Sequence, residues 1–111
     1  MANMSMTKNP MPSQDPKFRA RNYDEVALGY SEDQVKDEAA RCLNCKIPHC
    51  VEGCPVNLNI PGFIKAAGEG DFDEAYRIIS MDSSLPAVCG RVCPQETQCE
   101  SRCARGIKGE S

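Results

Sequence analysis

The stretch that decides the reading is Arg41-Cys42-Leu43-Asn44-Cys45-Lys46-Ile47-Pro48-His49-Cys50-Val51-Glu52-Gly53-Cys54-Pro55. Two, four and three residues separate its successive thiols, and it ends on a Cys-Pro step. A second run follows, Cys89-Gly90-Arg91-Val92-Cys93-Pro94, completed by Cys99 and Cys103. The runs are loose repeats of each other, with four thiols and one Cys-Pro step in each, and 34 residues lie between Cys54 and Cys89. Together they hold all eight cysteines of a 111-residue chain. That length makes one domain. With no Trp, three Phe and three Tyr, its apolar core is small. A domain of this kind needs a covalent or metal staple, and the cysteines can supply one.

The flanking sequence is helical in pattern. Upstream, Ser31 with Gln34 spells a capping box. Val35, Ala39 and Leu43 then recur on one predicted helix face that leads into Cys42 and Cys45. Residues 1–22 are polar, with Pro10, Pro12 and Pro16, and read as an extended or mobile arm. That arm is either a plain tail or a strap for a partner surface; residues 23–111 are the cysteine-bearing domain. Tyr23, Val26, Leu28 and Tyr30 give its first segment enough apolar surface to dock. Lys46 to Leu58, with Pro48, Gly53 and Pro55, reads as a loop. A second helix is expected from Asn59, with Pro61 in its first turn, burying Phe63, Ile64 and Ala67 and ending at Gly68 or Gly70. Asp71 and Glu74 open a third, lined by Phe72, Ala75, Tyr76 and Ile79. Ser83-Ser84-Leu85-Pro86 predicts a short helix running into Cys89. Thr97 with Glu100 predicts a last capped helix through Cys103. Alternating strand patterns are absent. The expected fold class is all-α, short helices joined by cysteine-bearing loops.

Charge and composition narrow the function. The 13 basic and 16 acidic residues leave a net charge of −3, which argues against nucleic acid. No apolar run approaches the roughly 20 residues of a membrane span. Met1-Ala2-Asn3-Met4-Ser5-Met6 lacks the basic and apolar regions of a signal peptide. The expected location is therefore cytoplasmic, where many cysteines mean metal or redox work more often than disulfides. There is no Ser/His/Asp set and no phosphate-cradling glycine loop, so no catalytic residue is expected. His49, the one histidine, is read as a loop residue that tunes solvation.

A [4Fe–4S] cubane needs four soft anionic ligands around a compact core. In two-cluster ferredoxins three come from a local run, and the proline-followed cysteine at its end ligates the other cluster. Applied here, that logic gives two crossed sets. Cys42, Cys45, Cys50 and Cys103 form one; Cys54, Cys89, Cys93 and Cys99 form the other. The mirror is imperfect, because no proline follows Cys103. Arg41, Lys46, Arg91, Arg102 and Arg105 stand beside the thiols and could screen the roughly −2 charge of each oxidised cluster. Backbone N–H groups at Gly53 and Gly90 could point at sulfur. The rival is a non-redox zinc-binding interaction module, since Cys42-x-x-Cys45 is a common zinc half-site. The second run, however, holds no such knuckle. A disulfide scaffold fits the count but not the compartment, and a thioredoxin-like motif lacks its βαβ setting.

From Arg41-Cys42-Leu43-Asn44-Cys45 through Gly53-Cys54-Pro55-Val56, and from Cys89-Gly90-Arg91-Val92-Cys93-Pro94 through Cys103, the chain resembles a known module. It is similar to the N-terminal domain of the glutamate synthase small (beta) subunit family. That family includes the large subunit of NADH-dependent ferredoxin:NADP oxidoreductase, with dihydropyrimidine dehydrogenase a more distant relative. The resemblance covers residues 12–111 and all eight cysteines. Asn57-Leu58-Asn59-Ile60-Pro61-Gly62-Phe63-Ile64 and Leu85-Pro86-Ala87 share in it. It implies an α-helical ferredoxin-like fold with two [4Fe–4S] clusters. It further implies a downstream FAD- and NAD(P)H-binding domain, of which this chain would be the N-terminal companion. The partner would be the large (alpha) glutamate synthase subunit or another flavoprotein subunit. The parent would be an NAD(P)H-dependent oxidoreductase. In some relatives a Gln or Glu beyond the position matching Ser111 replaces one ligand and leaves the residue matching Cys89 free. Cys89 is thus the ligand the sequence fixes least.

Overall fold

The computed structural model describes residues 3–111. Among these, six α-helices and three 3₁₀ turns follow one another, and no named strand occurs. The helices are α1 (Pro16–Arg19), α2 (Glu32–Ala39), α3 (His49–Glu52), α4 (Ile60–Glu69), α5 (Phe72–Asp82) and α6 (Pro86–Val92). The 3₁₀ turns are Gln95–Thr97, Glu100–Arg102 and Ala104–Ile107. The all-α expectation holds. No helix among the described residues is long and apolar enough to cross a membrane.

Local chemistry explains most boundaries. At the start of α2 the Ser31 hydroxyl accepts from Gln34 N–H, and the Gln34 side chain accepts from Ser31 N–H. This closes the predicted capping box. Asn59 caps α4 through Gly62 N–H, and Asp71 caps α5 through Glu74 N–H. Gly70 ends α4 at φ 83°, a left-handed conformation that glycine adopts without steric cost.

Three expectations are corrected. Helix α2 stops at Ala39, so Leu43 lies beyond it and is exposed. Ala39 itself packs on α4, where a Cβ on Gly68 would lie 3.2 Å from the Ala39 methyl. The 46–58 loop contains the single turn α3, because the chain must bend tightly to carry Cys50 and Cys54 inward. The capped helix expected from Thr97 is absent: the Thr97 hydroxyl turns back to the Pro94 carbonyl at 3.1 Å. Residues 95–107 wind instead as 3₁₀ turns, which place a thiol at each junction.

Helix α4 packs between α2 and α5. Among the described residues two apolar side chains are fully buried, Ala66 on α4 and Ala75 on α5. Near the amino terminus, residues 12–14 lie antiparallel to 26–28. Gln14 N–H donates to Val26 at 2.9 Å and Leu28 N–H to Pro12 at 2.7 Å. Residues 3–9 of the arm run across α2 and the C-terminal segment. Asn3 N–H donates to Ala40, Glu110 N–H to Met6, and Asn9 N–H to the Glu38 carboxylate.

Candidate metal centre

The eight thiols occupy the junctions between elements. Cys42 and Cys45 follow α2, where Asn44 adopts a positive φ of 47°, a conformation asparagine tolerates. Cys50 lies in α3 and Cys54 just past its end. Cys89 lies within α6, and Cys93 ends it. Cys99 and Cys103 flank the 3₁₀ turn Glu100–Arg102. All eight are free and half-buried.

Two contacts bring the runs together. Helix α3 packs against the Glu100–Arg102 turn. Gly53 meets Gln98 so closely that a Cβ would lie 2.6 Å from the Gln98 carbonyl oxygen. Gly53 and Gln98 are the residues before Cys54 and Cys99, so this backbone contact joins the halves at their thiols. Gly53 is present for that approach. Its N–H is spent on the His49 carbonyl at 3.2 Å and is not free for sulfur.

The electrostatics reveal which thiols are neighbours. Partial burial pushes the Cys50 thiol up, and the nearby Cys103 and Cys42 thiols push it further. Burial also raises Cys93, aided by Cys89 and then Cys54. Cys99 is raised by burial, with Glu100 and Cys54 adding to it against backbone hydrogen bonds that lower it. Each thiolate is disfavoured by an apolar setting and by a like charge beside it. Cys50 thus neighbours Cys42 and Cys103, while Cys54 neighbours Cys93 and Cys99. Among the described residues, no three His, Cys, Asp or Glu side chains converge on a single-ion site.

The basic residues do something the sequence reading missed. Arg41, 3% exposed, pairs with Glu38 and donates to the Glu110 carbonyl. Arg105 donates to the Asn3 and Ser5 carbonyls. Arg91 pairs with Glu25 at 2.5 Å, which holds that carboxyl below its usual range. Arg91 and Arg105 fasten the first thirty residues to the thiol-bearing segments, and Arg41 ties the end of α2 to the C-terminal segment. The available signal was their place beside the cysteines; only Arg91 is matched by an acid far away in the sequence, Glu25. His49 is exposed, and its Nδ1 lies 3.2 Å from the Glu52 carboxylate.

Residues 19–111 match the family described as dihydropyrimidine dehydrogenase domain II, 4Fe–4S cluster. The chain belongs to this 4Fe–4S domain family. It is 36% identical over 109 residues to the glutamate synthase [NADPH] small chain of Azospirillum brasilense, covering 93% of this chain and 23% of that protein. It is 42% identical over 92 residues to the Escherichia coli protein of the same description, covering 83% and 20%. A shorter match, 46% over 56 residues, is to the NADPH-Fe(3+) oxidoreductase subunit beta of Geobacter sulfurreducens; it covers 50% of this chain and 8% of that one. The chain spans about a fifth of the length of the glutamate synthase small chains it matches. The donor chemistry fits the family's cluster: eight free, half-buried thiols stand at these junctions, soft ligands in the number that cubanes of four each require.

Proposed function

We propose that the chain is an electron-transfer domain with two [4Fe–4S] clusters. Cys42, Cys45, Cys50 and Cys103 would hold one, and Cys54, Cys89, Cys93 and Cys99 the other. The observation that carries this is the crossing of thiols between halves, Cys103 beside Cys50 and Cys54 beside Cys93 and Cys99. A cluster bound there supplies reversible one-electron exchange. The chain itself holds the ligands, half-buries them against water, and clamps the two runs at Gly53 and Gln98. No side chain at the thiols performs bond chemistry. The arrangement is of the α-helical ferredoxin-like kind. In the parent protein, an NAD(P)H-dependent oxidoreductase of glutamate synthase small-subunit type, FAD and NAD(P)H would occupy a further domain. Electrons would pass through this one to a flavoprotein partner, such as a large glutamate synthase subunit, in the cytoplasm.

Anaerobic purification with iron, sulfide and zinc analysis tests the reading. About eight iron and eight acid-labile sulfide per chain are expected. Cys103→Ala should empty one cluster and Cys54→Ala the other, each seen as loss of one paramagnetic signal on reduction. About two zinc without sulfide would instead establish the zinc-binding interaction module.

A further inference from the structure

The cluster of Cys42, Cys45, Cys50 and Cys103 draws its ligands from two distant segments, and residues 3–9 of the arm are tied to both. On the Cys42 side, Asn3 N–H donates to the Ala40 carbonyl at 2.9 Å, and Asn3 Nδ2 to the Asp37 carboxylate at 2.9 Å. Asn9 donates to Glu38 through its backbone N–H at 2.7 Å and to Asp37 through Nδ2 at 2.8 Å. On the Cys103 side, Lys8 Nζ pairs with Glu100 at 3.2 Å, and Arg105 donates to the Asn3 and Ser5 carbonyls. Glu100 stands three residues before Cys103 and Arg105 two after, so the arm holds that thiol's segment on both flanks. Further on, Glu110 N–H donates to the Met6 carbonyl at 2.8 Å, and Lys8 N–H to the Glu110 carboxylate at 2.8 Å.

Two more observations separate this arm from a plain tail. A Cβ on Gly109 would lie 2.5 Å from the Met6 carbonyl oxygen, a backbone atom that cannot turn aside. A residue without a side chain is what lets the arm lie on the C-terminal segment. Met4 and Met6 also line a largely apolar cavity of about 280 Å³ with Leu43, Ala104 and Ile107. Leu43 and Ala104 directly follow Cys42 and Cys103. The Cys103 segment is itself only 3₁₀ turns. Such a segment opens locally at small cost unless other contacts hold it.

We propose that residues 3–9 are a strap that keeps Cys103 on the cluster it shares with Cys42, Cys45 and Cys50. The strap sets how long that cluster, and not the other, retains its iron. The inference rests on the two-cluster reading and deepens it.

The experiment compares the full wild-type chain with Gly109→Ala, Asn9→Ala and Cys103→Ala, all prepared anaerobically. None of the first two changes alters charge or a ligand. Loss of iron to an added chelator is timed, and each cluster is followed by its paramagnetic signal after reduction. Cys103→Ala identifies the signal of its cluster by removing it. In Gly109→Ala that signal should decay roughly tenfold faster than in wild type, because the arm is forced off, while the other signal keeps its wild-type rate. A wild-type rate for the Cys103-dependent signal, or equal acceleration of both signals, overturns the strap. If Gly109→Ala is isolated without either cluster, Asn9→Ala decides on the same two criteria. If Cys103→Ala keeps both signals, the ligand assignment falls and the strap's role with it. A selective loss in Cys103→Ala beside an unchanged Gly109→Ala overturns the strap alone.

Discussion

Arg41 joins the end of α2 to the C-terminal segment at one guanidinium. It reaches Glu38 within its own turn and the Glu110 carbonyl across the chain, while its Nε has no hydrogen-bond partner among the described residues. Removing one member of a buried ion pair strands the other and costs about 3 kcal/mol. Arg41→Met should therefore speed amide exchange at Asn3 and Glu110 roughly a hundredfold, as local opening becomes easier. Unchanged exchange there would mean the clamp is idle. Lys8 offers a pH-dependent tie in the same region. Its ammonium lies 3.2 Å from the Glu100 carboxylate, and that hydrogen bond holds its pKa above the ordinary 10.5. A raised folded value means the tie is fully present below pH 10.5 and lost as pH rises through the folded pKa. The Lys8 ε-carbon resonance should titrate above 10.5, and Glu100→Gln should lower its titration point. A wild-type titration at or below 10.5 would contradict the pairing.

Between elements, the closest approach is that of α3 to the 3₁₀ turns. At Gly53 a methyl group would sit 2.6 Å from a backbone oxygen, which cannot move aside as a flexible side chain would. Gly53→Ala should cost about 1–3 kcal/mol by overpacking. It should also lower iron content, because the forced separation parts Cys54 from Cys99. Gly90 is the control. It adjoins Cys89 in α6, but a Cβ there meets nothing within 4 Å. Gly90→Ala should keep full iron and gain about 0.5–1 kcal/mol from the helix preference of alanine. Equal iron in both variants would show that the approach at Gly53 is dispensable. Elsewhere the sequence announced its elements well. Asn59, Asp71 and Ser31 cap as their types require, since a capping bond spans only three residues. It announced them poorly from 95 to 107, where Thr97 and Glu100 mimic a cap but the thiol junctions dictate the path.

As a whole the molecule is loose for its size. Its radius of gyration is 14.5 Å, against about 13 Å for a compact chain of this length. Two buried alanines cannot hold the 42–58 and 87–105 segments, whose other contacts are turns and half-buried thiols. Removing iron with a chelator under oxidation should therefore open those segments to amide exchange, while α4 and α5, packed on each other, keep their protection. Protection in the thiol segments without metal would show that the apolar contacts suffice. The sequence by itself determined what is local. Capping pairs, the Gly70 stop, the all-α character and the count and spacing of the thiols all depend on residues a few positions apart. Tertiary structure alone decided which groups meet across the chain. Gly53 facing Gln98, Arg91 reaching Glu25, Arg41 reaching Glu110, and Gly109 lying against Met6 each depend on how a path bends between elements. A residue type fixes the kinds of partner it accepts, but only packing selects one, because the bends that bring partners together are set by many small contacts at once.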